Sequence, residues 1–178
     1  MQKTPTLFMR DFGGNPKLVT DTPNPDCAWV FAGEGQATRK YDGTCCMFDG
    51  HSWFKRREVK PGKKTPESFI QLNEDPNTGK LMGWLPVAEE DKWHHDAIDP
   101  ETSYAPGTYE LCGPKVQGNP EGYIGHQMIS HADAETLDVP RDYAGLKAWM
   151  ETTDYEGIVF HHPDGRMAKI KRRDFDFS

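Results

Sequence analysis

The chain has 178 residues, with 28 Asp and Glu against 21 Lys and Arg, a formal net charge of −7 and a mean hydropathy of −0.80. This length allows one domain with a real core, and nine Phe, six Tyr and five Trp exclude a disordered polar chain. No run approaches the roughly 18 apolar residues of a membrane span, and Met1-Gln2-Lys3-Thr4-Pro5 opens without an apolar signal region, so a soluble, cytoplasmic protein with no membrane partner is expected.

Residues 1–34 are rich in Pro, Gly and Asp and have little periodicity, which suggests an irregular lead-in with short strands. Thr44-Cys45-Cys46-Met47-Phe48, then Asp49-Gly50, then His51-Ser52-Trp53-Phe54 reads as a hairpin with Lys40-Tyr41-Asp42-Gly43 at its entrance. Residues 60–103 are polar; Pro76-Asn77-Thr78-Gly79 is a turn, and 81–87 is a short strand. Gly107-Thr108-Tyr109-Glu110-Leu111-Cys112-Gly113 reads as a strand between glycines, and 123–130 as a further strand. The clearest helix spans 141–152, after Pro140, with Leu146, Trp149 and Met150 on one face. Ile158-Val159-Phe160 is a strand, His161-His162-Pro163-Asp164-Gly165 a turn, and 166–171 the returning strand. The pattern predicts an α+β fold of antiparallel sheets with flanking helices in a single domain.

The four cysteines, Cys27, Cys45, Cys46 and Cys112, form no C-x-x-C pair, so buried thiols are expected in place of a zinc site or disulfide framework. Gly33-Glu34-Gly35 lacks the third glycine of a dinucleotide fingerprint, and Pro61-Gly62-Lys63-Lys64-Thr65 lacks the upstream glycine of a phosphate-binding P-loop. His94-His95 and His161-His162 have no helical i, i+4 partner and read as turn or solvent-facing residues.

Net acidity argues against a nucleic-acid partner, but the basic residues are clustered. Residues 55–64 hold six basic side chains and one acid, and 166–173 hold five and none. Such a chain can be acidic outside and positive along one groove.

Four segments carry chemistry: Lys40-Tyr41-Asp42-Gly43; Glu110 within Tyr-Glu-Leu-Cys-Gly; Glu156-Gly157-Ile158-Val159-Phe160; and Lys169-Ile170-Lys171. Residues two apart on a strand share a face, so Lys169 and Lys171 point together while Ala168 and Ile170 point into a core. Two lysines side by side repel, and a bound polyanion offsets that repulsion; the plain alternative is a solvated, protected edge.

In order and spacing these segments resemble the nucleotidyltransferase motifs of the ATP- and NAD-dependent DNA ligases, RNA ligases and mRNA capping enzymes, over about residues 35–171. Residues 37–46 and 110–114 look most like small RNA ligases that join 5′-phosphate to 3′-hydroxyl ends. The resemblance implies a ligase adenylation-domain fold over residues 1–178 with no OB-fold domain, since the chain stops soon after the last motif and lacks the N-terminal domain of NAD-dependent ligases. It implies ATP with Mg²⁺ or Mn²⁺, and RNA bearing those ends as partner, with any protein partner left open.

By the same resemblance Lys40 is the nucleophile that takes AMP, assisted by Lys169 and Lys171. Lysine has a reference pKa of about 10.4, so desolvation and nearby positive charge must free its amine. Glu156 is implied as a metal ligand, and Glu110 as lying near the ribose or metal. Asp42 and Gly43 would shape the loop presenting Lys40, and Thr38 and Arg39 fall where relatives contact adenine. Arg56 or Arg57 would contact the nucleotide, and Tyr123 and His126 are candidates to stack on the base. A minimal DNA ligase, a GTP-using guanylyltransferase and a non-catalytic nucleotide- or nucleic-acid-binding module remain alternatives.

Overall fold

In a computed structural model of the chain, residues 3–178 are described, so the first two residues of the expected lead-in lie outside them. The elements in chain order are β1 (Phe8–Arg10), β2 (Val19–Pro23), α1 (Ala28–Phe31), β3 (Gln36–Lys40), β4 (Thr44–Phe48), β5 (Trp53–Val59), β6 (Ile70–Glu74), β7 (Leu81–Pro86), α2 (Lys92–Ala97), β8 (Gly107–Cys112), β9 (Gln127–Ser130), β10 (Thr136–Leu137), α3 (Tyr143–Glu151), β11 (Gly157–His161) and β12 (Met167–Lys171). This is an α+β fold of mostly antiparallel sheet with few, short helices. No helix of the described residues is long and apolar enough to cross a membrane.

The chain divides into two compact units: a terminal unit of residues 3–41 and 134–178, and an inserted unit of residues 42–133. In the terminal unit a four-stranded sheet runs β10-β3-β11-β12, and β1 pairs with β2. One face of that sheet gives Ala37, Ile158, Phe160, Ala168 and Ile170 to a core shared with Phe8 of β1, Val30 of α1, and Leu146 and Met150 of α3, each no more than 2% exposed. Burying each large apolar side chain contributes on the order of 2 kcal/mol. Helix α3 begins two residues later than the sequence suggests because the Asp142 carboxylate accepts from the Gly145 amide at 2.8 Å and caps it.

In the inserted unit a six-stranded antiparallel sheet runs β6-β7-β5-β4-β8-β9. The expected hairpin forms between β4 and β5, and Gly50, at φ +100°, supplies the left-handed residue of its loop while the Asp49 carboxylate accepts from the His51 and Ser52 amides. Cys46, Tyr109 and Leu111 pack under this sheet with Phe48, Trp53 and Tyr104 around them. The strand expected over 123–130 is confined to β9, because Asn119 bonds the Tyr123 backbone in both directions and holds the preceding segment as a loop.

Candidate functional site

In the terminal unit β11 lies between β3 and β12. Gly157 pairs with Lys40 on one side and Lys171 on the other; Val159 pairs with Thr38 and Lys169. Strand alternation therefore places Thr38, Lys40, Lys169 and Lys171 on the face opposite the core. Gly157 is small for a specific reason: a Cβ there would stand 2.2 Å from the Ile170 carbonyl oxygen.

Glu156 immediately precedes β11, and its carboxylate reaches between two lysines. Lys40 Nζ donates to Oε2 at 2.7 Å, and Lys171 Nζ pairs with Oε1 at 3.0 Å. Burial pushes the Glu156 carboxyl up, but the Lys40 and Lys171 ammonium groups outweigh it and hold the group below the usual carboxylate range. Lys169 is lowered too, to about 8, by burial first and then by Lys171, Lys40 and Lys3; for a lysine this favours the neutral amine. The end of β12 is fixed by Asp174, which is buried, accepts from the Lys171 amide at 2.8 Å and pairs with Arg10 at 2.8 Å.

An open groove of about 810 Å³ adjoins these strands and is lined by Lys3, Arg10, Lys17, Lys169, Lys171 and Arg173, among others. Arg10, Lys17 and Asp174 line this groove, as Lys169 and Lys171 do but Lys40 and Glu156 do not, and they belong to none of the four sequence segments, because chain-distant residues reach the groove only through the fold.

The two residues before Lys40 part company. Thr38 shares the Lys40 face, where its hydroxyl donates to the Val159 carbonyl at 3.0 Å and lies 3.1 Å from His161 Nε2. Arg39 is on the opposite side, with its guanidinium 4.6 Å from the Tyr41 ring centre, 4.0 Å from that of Tyr155, and 3.8 Å from Glu135.

The other sequence candidates lie in the inserted unit. Glu110 pairs with Cys45 across β4–β8 and with Ile129 across β8–β9. Its Oε1 accepts from the Gly43 amide at 3.2 Å, and its Oε2 lies 2.9 Å from His131 Nε2. A Cβ at Gly43 would stand 2.1 Å from the Leu111 carbonyl oxygen. The Asp42 amide donates to Glu121 at 2.8 Å.

Register distinguishes the two arginines. Cys46 pairs with Lys55 and Met47 with Phe54, so alternation puts Arg56 on the face of Cys45 and Glu110, and Arg57 on the other face. Arg56 is half-buried, with its Nε buried and without a protein hydrogen-bond partner, while Arg57 is exposed. The His126 ring stacks on Trp93 with centres 4.8 Å apart and is tied to Asp96 at 2.8 Å, so one of its faces is already occupied. Tyr123 is half-buried in the loop before β9.

Of the sequence candidates, the fold places Thr38, Lys40, Lys169 and Lys171 on the terminal unit's sheet with Glu156 just before β11, and Arg56 and Glu110 on the inserted unit's sheet with Gly43 just before β4. No protein-family model matches the chain, and no curated protein matches it.

Proposed function

We propose that this protein is an ATP-dependent RNA ligase with a nucleotidyltransferase fold, adenylylated on Lys40. The observation that carries the reading is the Lys40–Glu156–Lys171 bridge, with Lys169 beside it on the same sheet face. With one oxygen on Lys40 and the other on Lys171, the role of Glu156 is to position Lys40 and to hold a metal. Lys169 and Lys171, whose mutual repulsion raises the free energy of the cluster, are relieved by phosphate oxygens.

The Lys40 amine attacks the α-phosphorus of ATP. The N–P bond forms, the P–O bond to pyrophosphate breaks, and the amine proton passes to solvent. Lys169 and Lys171 stabilise charge on the phosphates as the leaving group departs. Mg²⁺, for which one carboxylate with phosphate oxygens and water is a suitable donor set, would neutralise that charge further with Glu156 as its protein ligand. AMP then moves to an RNA 5′-phosphate, and a 3′-hydroxyl attacks that phosphate and expels AMP. The basic groove of the terminal unit suits a polyanion.

The test is incubation with α-labelled ATP or GTP and Mg²⁺, denaturing electrophoresis, and then ligation of 5′-phosphate RNA or DNA strands to 3′-hydroxyl acceptors. The expected result is an acid-labile, alkali-stable, ATP-specific adduct that is absent in Lys40→Ala, with RNA joined in preference to DNA. An adduct retained in Lys40→Ala refutes the nucleophile. A GTP-specific adduct assigns a guanylyltransferase, and no adduct from folded protein free of bound AMP assigns a binding module.

A further inference from the structure

The inserted unit holds a second cluster whose chemistry differs from the lysine–carboxylate site. Cys45 Sγ, a Glu110 carboxylate oxygen and a His131 ring nitrogen all lie within 4.8 Å of one another. They come from three places in the sequence: Cys45 sits on β4 directly opposite Glu110 on β8, and His131 follows β9, the next strand over. The sheet register makes the cluster, which is why Cys spacing gives no sign of it. From Cys45, Glu110 and His131 we infer a binding site for a thiophilic divalent cation of the Zn²⁺ class, open at its fourth position.

The donor set selects the metal. Thiolate, imidazole and carboxylate together suit Zn²⁺ or Co²⁺, whereas Mg²⁺ requires oxygen ligands in near-ideal octahedral geometry. Tetrahedral zinc, with bonds of about 2.0–2.3 Å, sets ligand–ligand edges of roughly 3.3–3.7 Å. The His131–Glu110 contact is 2.9 Å and the widest ligand separation is within 4.8 Å, so side-chain shifts of about an ångström close the site. Cys45 is half-buried and the His131 side chain is 30% exposed, which leaves an approach for the ion and room for a water or other fourth ligand.

The groups behind the ligands are already in place. His131 Nδ1 lies 2.9 Å from the Thr108 hydroxyl, and Glu110 Oε1 is held by the Gly43 amide at 3.2 Å, leaving Oε2 turned toward His131. A hydroxyl donates or accepts equally well. When Nε2 donates to Glu110, the Thr108 hydroxyl donates to Nδ1; when Nε2 binds metal, Nδ1–H donates to the Thr108 oxygen. Thr108 can therefore orient the ring in either tautomer, which is what an outer-shell partner of a metal-bound histidine must do. Binding displaces the Nε2–H···Oε2 hydrogen bond and releases the Cys45 thiol proton to solvent.

The experiment uses reduced, metal-stripped full-length protein titrated with Co²⁺ and followed by absorption. A sulfur-to-cobalt charge-transfer band that saturates at one equivalent, is bleached by Zn²⁺ and is indifferent to excess Mg²⁺ is expected. Cys45→Ser should lose the band. Thr108→Val should weaken Co²⁺ binding by about 10–100-fold, whereas Thr108→Ser should bind like the wild type. If Cys45→Ser does not fold, as judged by near-ultraviolet circular dichroism, the Thr108 pair and His131→Ala decide the matter. A wild type without the band, a band that survives Cys45→Ser, or equal binding by Thr108→Val and wild type each overturns the site. None of these readouts requires ATP or Lys40, so failure here leaves the ligase reading where it stands, and the reverse holds.

Discussion

Lys40 Nζ lies 2.7 Å from Glu156 Oε2, and the other oxygen of the same carboxylate lies 3.0 Å from Lys171 Nζ. One acid thus fixes two lysines that stand in adjacent sheet positions on either side of Gly157. Glu156→Gln removes the charge while keeping the shape. It should lower Lys40 labelling on the order of a hundredfold, the scale of a small misplacement of a reacting group, and destabilise the fold by about 2 kcal/mol through lost charge-assisted hydrogen bonds. Because the folded-state carboxyl lies below its ordinary value, its contribution is present above about pH 4.5 and is lost as pH falls through the depressed value. Lys171→Ala should impair labelling comparably. Single-turnover labelling and thermal unfolding measure both effects; unchanged labelling in Glu156→Gln would remove the carboxylate from the mechanism.

Lys169 sets a second pH dependence, of opposite slope to the usual lysine case. Burial, then Lys171, Lys40 and Lys3, bring it from 10.5 to about 8, with Asp174 pulling weakly the other way. Between those values the unfolded chain keeps a proton that the folded chain has shed, so stability rises with pH across that window, by on the order of 3 kcal/mol. Below it both states are protonated and the folded state bears the full cost. Lys169→Met should therefore be more stable than wild type at neutral pH and should lose the alkaline rise. Pyrophosphate should raise the Tm of the wild type more than that of the variant. Denaturant titrations at several pH values check this, and parallel curves for the two proteins refute it.

The glycines of two of the motifs answer to sterics. An alanine Cβ would lie 2.2 Å from the Ile170 carbonyl at position 157 and 2.1 Å from the Leu111 carbonyl at position 43, while at Gly13 it would meet nothing within 4 Å. Gly157→Ala and Gly43→Ala should each destabilise by about 1–3 kcal/mol, as overpacked sites do, and Gly13→Ala should be close to neutral. Chemical denaturation separates the three. Equal stability for all would mean that the motif glycines are not there for packing.

These contrasts mark what the sequence could carry. The shared face of Lys169 and Lys171, and the burial of Ala168 and Ile170, follow from strict alternation and are 0% exposed core for the latter pair. The β4–β5 hairpin follows from Asp49-Gly50 between apolar runs, although its loop also takes in His51 and Ser52, which read as the start of the second strand. Strand β3 was harder to read because Gln36-Ala37-Thr38-Arg39-Lys40 has only one apolar residue; it is a strand because β10 and β11 pair with it on both sides. His131 was illegible because an irregular stretch separates β8 from β9, and only their register brings it to Glu110. The choice between Arg56 and Arg57 required the pairing of β5 with β4 for the same reason.

Arg39 is where motif position and geometry point in different directions. Placed beside Lys40 in sequence, it was expected near adenine, yet its guanidinium stacks between Tyr41 and Tyr155 on the face away from Lys40. Stacking of this kind contributes roughly 0.5–2 kcal/mol. Arg39→Ala should accordingly lower the unfolding free energy by about 1 kcal/mol while leaving the ATP concentration for half-maximal labelling unchanged. Thr38→Val, on the Lys40 face, should raise that concentration and also lower stability by about 1–3 kcal/mol, since its buried hydroxyl donates to the Val159 carbonyl and lies 3.1 Å from His161 Nε2. Labelling titrations and thermal melts on the two variants decide between the readings. A large rise in the ATP requirement of Arg39→Ala, with its melting temperature unchanged, would mean that the arginine leaves its tyrosines to bind the nucleotide.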